Sequence, residues 1–157
     1  MLLNGLRNRN DCFFSTTNYL FIQPRVEDKL LIVELKGRVF TGQGEGRKYI
    51  ERPWVRREIE EKLGFTPYAG TLNLRLSTES ERRRSVLEES EFLRICEARG
   101  CCSGLIFSAS IGELNCAVVI PELEGYPKNV LEVIAWTKLR ERFGLQDGDE
   151  VTITVHI

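Results

Sequence analysis

Gly42-Gln43-Gly44-Glu45-Gly46-Arg47 places three glycines and a cation within six positions. Glycine allows a tight turn and lets backbone N–H groups come close to an anion. Arg47 can add a bidentate phosphate contact. The spacing is neither GxxxxGK[ST] nor GxGxxG, so no standard nucleotide fingerprint applies. The plainer alternative is a glycine-rich β-turn.

A second group lies in Thr71-Leu72-Asn73-Leu74. If the leucines enter a core, Thr71 and Asn73 share the opposite face. Their hydroxyl and amide oxygens can then reach one hard cation. Mg²⁺ accepts such neutral ligands when phosphates and waters complete its octahedron. An ordinary polar strand face is the competing reading. In Thr137-Lys138-Leu139-Arg140-Glu141, a helix capped by Thr137 would offer free N–H groups to an anion, beside Lys138 and Arg140. The same run also describes an amphipathic helix with solvated charges. Glu132 interrupts the apolar stretch VLEVIA and, taken alone, points to solvent from a one-sided strand.

These residues need elements to position them. LLIVELKGRVF, from Leu30, reads as a strand, and TGQGEGR as a loop. Val55, Ile59 and Leu63 recur at helical spacing before a terminating Gly64. TLNLRL alternates strictly, as a half-buried strand does. Ser77 to Glu91 is highly charged and predicts a short surface helix, while Phe92 to Cys96 fits either helix or strand. LIFSASI and LNCAVVI predict two strands joined at Gly112-Glu113, and VLEVIA a further strand. KLRERF is a short helix closed by Gly144, QDGDE a turn, and VTITVHI a final strand. Several strands with few helices predict a mainly β domain, a small barrel with short helices.

The chain has 157 residues, of which 42 % are hydrophobic and 29 % charged, enough for a real core. Its 22 basic and 23 acidic residues leave a formal net charge of −1. That balance argues against a dedicated nucleic-acid surface, which needs clustered positive charge. No apolar run reaches bilayer length, and the first residues lack the apolar core of a signal peptide. A cytoplasmic monomer with no membrane partner is the expectation. Five cysteines, an odd number without a secretion signal, predict reduced thiols. Their spacing does not form paired CxxC, and the only histidine is His156, so a zinc site is disfavoured.

The order of the motifs is more specific than any one of them. KGRVFTGQGEGRKY, GFTPYAGTLNLRL, AVVIP and LEVIAWTKLRERFGLQDGDEVTI follow in succession. This succession resembles the archaeal CTP-dependent riboflavin kinase family, from about Lys36 to Val155. The resemblance implies a six-stranded cradle-loop barrel over residues 30–157, with 1–29 an N-terminal arm or remnant lacking a family counterpart. It implies transfer of the γ-phosphoryl group of CTP to riboflavin, giving FMN and CDP. Gly42, Gln43, Gly44, Glu45, Gly46, Arg47 and Lys48 would then embrace the nucleotide phosphates. Thr71 and Asn73 would be the Mg²⁺ ligands. Thr137, Lys138, Leu139, Arg140 and Glu141 would line the nucleotide pocket. Glu124 and Glu132 would contact the flavin, with Glu132 the candidate catalytic base. Two positions depart from the pattern: Glu124 stands where relatives carry a hydroxyl residue, and Trp136 where they often carry proline.

Two rivals remain at this level. An ATP-dependent flavokinase also uses a Thr-x-Asn metal element, so TLN does not separate the two. A non-enzymatic swapped-hairpin barrel that binds nucleotide or DNA is the other, with Arg82-Arg83-Arg84 as a local basic cluster.

Overall fold

Alternating apolar residues set the architecture. A computed structural model describes residues 31–90, 92–96 and 102–157; the N-terminal arm expected over 1–29 lies outside them. The described elements run β1 (Ile32–Phe40), α1 (Glu45–Ile50), α2 (Pro53–Leu63), β2 (Leu72–Leu76), α3 (Thr78–Glu89), β3 (Leu93–Cys96), β4 (Cys102–Ile111), β5 (Leu114–Pro121), β6 (Val130–Ile134), α4 (Leu139–Phe143) and β7 (Glu150–His156).

All pairings are antiparallel, in the order β3-β4-β5-β6-β2-β1-β7. A further pairing of β4 with β7, Ala109 with Val155 and Ser110 with Thr154, closes six strands into a barrel. Among the described residues, β3 stays outside the ring and pairs with β4 alone. Val33, Leu35 and Val39 of β1 and Leu72, Leu74 and Leu76 of β2 point into the barrel with Val151, Ile153 and Val155 of β7.

β5 is buried on both faces. Cys116, Val118 and Ile120 join the interior, while Ala117 and Val119 join an outer cluster with Ile50, Val55, Ile59, Ile95, Ile106 and Ile134. The helices α1 and α2 supply three of those outer residues, so they cover the outside of the barrel rather than fill it. This explains the continuous apolar run in LNCAVVI, where a one-sided strand would alternate.

Two local expectations change and one open reading is settled. The glycine loop is shorter than predicted: Gly44, in the left-handed region at φ 80°, starts α1, so Glu45 to Ile50 is helical. Phe92 to Cys96 resolves into strand β3. α3 is not simply a surface helix. Ser77 caps it by accepting from the Ser80 N–H at 3.2 Å, and Ser80, Arg84 and Leu87 are buried along one face. That face docks on β1, where the Lys36 N–H donates to Ser80 Oγ at 2.8 Å. Buried positions filled by serine and arginine carry no hydrophobic signal. Reduced thiol is the state of buried Cys116, but Cys96 is disulfide-bonded, against expectation. Bonding requires only that two sulfurs meet, which spacing along the chain does not report.

Candidate functional site

One cleft of about 530 Å³ gathers the loop after β1, the start of β2, the outer face of β6 and the approach to α4. Its lining includes Gly42, Gln43, Gly44, Glu45, Gly46, Arg47, Thr71, Asn73, Glu132, Thr137, Lys138, Leu139 and Arg140. Residues from three distant stretches of sequence therefore meet at one place. The volume lies within the range of small-molecule sites.

Strand register explains the meeting. β2 lies between β1 and β6, so Asn73 pairs with Phe40 on one side and with Glu132 on the other. Leu72, Leu74 and Leu76 are buried, which turns Thr71 and Asn73 to the outer face beside Glu132. The Thr71 hydroxyl donates to Asn73 Oδ1 across 3.0 Å.

Two glycines are explained by close approach. A Cβ on Gly46 would lie 2.5 Å from Thr71 Oγ1 and 2.8 Å from Glu132 Oε2. A Cβ on Gly42 would run into Asn73 Nδ2. The loop and the first turn of α1 thus rest directly on Thr71, Asn73 and Glu132. Gly44 differs: its requirement is the left-handed backbone, with open space around it.

Glu132 is half-buried rather than solvent-pointing, and Tyr126 donates its hydroxyl to Oε1 at 2.9 Å. Burial, and then the adjacent Glu132 carboxylate, push the Tyr126 phenol pKa up, so it stays a donor.

Opposite walls of the cleft are tied by Asp147, in the turn before β7. Its carboxylate accepts from the Thr41 N–H at 3.2 Å, from Thr41 Oγ1 at 3.0 Å and from Arg140 Nη1 at 2.8 Å. The bonds from Arg140 and Thr41 hold the Asp147 carboxyl below its usual pKa.

Some predicted site residues stand apart. Lys48 pairs with Glu45 at 2.8 Å and does not line the cleft, although Glu45 does. Glu141 is turned to Lys138 at 2.6 Å. Glu124 is exposed and outside the cleft, because the segment after β5 leaves the barrel there. Thr137 lines the cleft but caps nothing: α4 begins at Leu139 with Lys138 at its N-cap, and no side chain caps it. At five residues, α4 has little dipole to offer an anion. Sequence reasoning missed Tyr68, which lines the cleft, and Tyr126 and Asp147, which support it. The DGD turn was visible in the sequence, but nothing there indicated partners at Thr41 and Arg140.

No helix among the described residues is long and apolar enough to cross a membrane. A family model described as CTP-dep_RFKase, domain of unknown function DUF120, matches residues 39–155. The chain is similar to a riboflavin kinase of Methanosarcina barkeri, with 40% identity over 126 residues, covering 78% of this chain and 56% of the relative. A riboflavin kinase of Archaeoglobus fulgidus is 42% identical over 127 residues, covering 78% and 54%. One of Ignicoccus hospitalis is 38% identical over 128 residues, covering 79% and 72%. The chain thus spans little more than half the length of the first two relatives.

Proposed function

The chain belongs to the CTP-dependent riboflavin kinase family, and from that premise we propose that it transfers the γ-phosphoryl group of CTP to riboflavin, yielding FMN and CDP. The observation that carries this reading is the single cleft that unites the glycine loop, Thr71 with Asn73, Glu132 and residues 137–140. In the reaction, the terminal ribityl oxygen forms a bond to the γ-phosphorus. The bond from that phosphorus to the β-phosphate oxygen breaks, the hydroxyl proton departs and CDP leaves.

Phosphoryl transfer asks chiefly for positioning and charge neutralisation. Residues 42–47 would hold the phosphates through backbone N–H groups, with Arg47 adding positive charge. Lys138 and Arg140 would face them from the opposite wall. Thr71 and Asn73 fit a magnesium ion: their oxygens lie 3.0 Å apart, close to the ~3 Å edge of an octahedron with bonds of about 2.1 Å. Bound there, magnesium would neutralise charge on the phosphate oxygens. Glu132 would hold the ribityl hydroxyl and take up its proton.

The test is FMN formation from riboflavin and magnesium, with CTP, ATP, UTP and GTP compared side by side. Turnover with CTP well above the others supports the reading. Turnover mainly with ATP would keep the reaction and reject the donor. No FMN from folded protein with any donor would reject the reading.

A further inference from the structure

Glu132 is a carboxylate on an otherwise apolar strand. On the outer face of the barrel it pairs with Val119 on one side and with Asn73 on the other. Among the described residues no cation pairs with it, and Tyr126 is its one hydrogen-bond donor. That donor takes Oε1, while Oε2 faces Gly46 at the first turn of α1. A carboxylate has two rotatable side-chain bonds before its terminal torsion, so an unheld Glu132 would sample several orientations.

Tyr126 is itself held. It lies in the segment between β5 and β6, where its N–H donates to the Leu123 carbonyl at 3.1 Å. Directly after it, the Pro127 and Lys128 carbonyls both accept from Arg84 Nη1. Arg84 is 3 % exposed, an arginine buried in α3, and its nearest carboxylate, Glu88, is 3.9 Å away. A buried guanidinium is costly unless its donors are used; these two carbonyls take Nη1, while Nε has no partner among the described residues. The Asn129 carbonyl then accepts from the Leu76 N–H at 2.7 Å, which fastens the segment to β2.

We propose that Tyr126 is a positioning residue for Glu132, fixing which carboxylate oxygen faces the cleft, and that Arg84 anchors the segment that carries Tyr126. The inference rests on the reading of Glu132 as the group that meets the acceptor hydroxyl. Tyr126 does not line the cleft and acts only through the carboxylate. Its effect therefore falls more on the riboflavin side than on the nucleotide, which Glu132 meets only through the backbone at Gly46.

Tyr126→Phe removes the donor and keeps the ring. A hydrogen bond to a charged partner corresponds to roughly tenfold or more in affinity. We expect riboflavin binding, read by quenching of flavin fluorescence, to weaken about tenfold, with a clearly smaller effect on CDP affinity. The deciding measurement repeats the substitution in a Glu132→Gln background. There Tyr126→Phe should have little further effect, because the bond it removes is to the ionised carboxylate. Equal losses in both backgrounds would overturn the proposal, as would equal weakening of CDP, unchanged riboflavin binding, or a Tyr126→Phe chain that does not fold. Wild-type protein that binds riboflavin but makes no FMN would reject the kinase reading instead, and the binding cycle would still decide the role of Tyr126.

Discussion

Gly46→Ala is the sharpest test of how the cleft is built. Helix propensity alone predicts a gain, since alanine is favoured over glycine inside a helix by roughly 0.5–1 kcal/mol. The surroundings predict the reverse. The new Cβ would stand 2.5 Å from Thr71 Oγ1, and ordinary contact begins at 3.4 Å, so α1 and β2 have to separate by about 0.9 Å. Glu132 Oε2, at 2.8 Å, is pushed as well. Overpacking of this kind costs about 1–3 kcal/mol, which the propensity gain partly offsets. Net destabilisation should be at most ~2.5 kcal/mol, read as a modest fall in the denaturant midpoint. Turnover should fall far more. A misplacement near 1 Å between positioned groups costs on the order of 10²-fold in rate. The assay is kcat/KM for FMN formation beside a urea titration. Gly44→Ala is the control: it strains a backbone at φ 80° but meets nothing within 4 Å, so it should lose stability with a much smaller loss of rate. Full activity in Gly46→Ala would refute the contact between α1 and the Thr71–Glu132 pair.

Asn73→Ala removes an oxygen and leaves the buried leucines of β2 in place; it should cut turnover in magnesium on the order of 10²-fold, with an unchanged melting curve. Undiminished turnover would remove Asn73 from the mechanism. Asp147→Ala should lower the thermal midpoint slightly at neutral pH. Because the folded Asp147 pKa lies below its ordinary value of 3.8, that contribution is complete above the ordinary value and is lost as pH falls through the lowered one. The gap between wild type and variant should be constant from neutral to mildly acid pH and close only in strong acid. A gap that closes near neutral pH would reject the Arg140–Asp147–Thr41 tie. Burial pushes the Cys116 thiol up to about 12, so it should resist alkylation at pH 8 in folded protein and react once denatured, as mapped on the labelled peptide.

The sequence was most legible where side chains alternate or repeat. β1, β2 and β7 could be read from period-two burial, and α2 from Val55, Ile59 and a terminating Gly64. The hairpin at Gly112 was equally plain. The glycine loop could be located, but its helical half could not. Gly44 and Gly46 signal a loop to any local reading, and only contact with Thr71 and Glu132 shows why glycine suits α1. α3 misled for the opposite reason. Its buried face is written in Ser80 and Arg84, whose partners lie 44 residues or so away along the chain. Asp147 and Tyr126 sit in polar turns that resemble any other turn. Their significance depends on Thr41, Arg140 and Glu132, which the fold brings to them.

The short closure of the barrel has a consequence for its motions. β7 is zipped to β1 from Ile32–His156 to Arg38–Glu150, whereas its ladder with β4 pairs just Ala109 and Ser110 among the described residues. Going round the ring, that seam lies across from β2, where the cleft is centred. Local openings begin where few backbone bonds must be broken. Parting β4 from β7 would turn the ring into an open sheet while β6, β2 and β1 stayed hydrogen-bonded to one another. Native-state hydrogen exchange would then show two cooperative units, a labile one at Ala109 and Ser110 and a protected one through β2. The molecule can breathe along one side and keep its binding groups in register on the other.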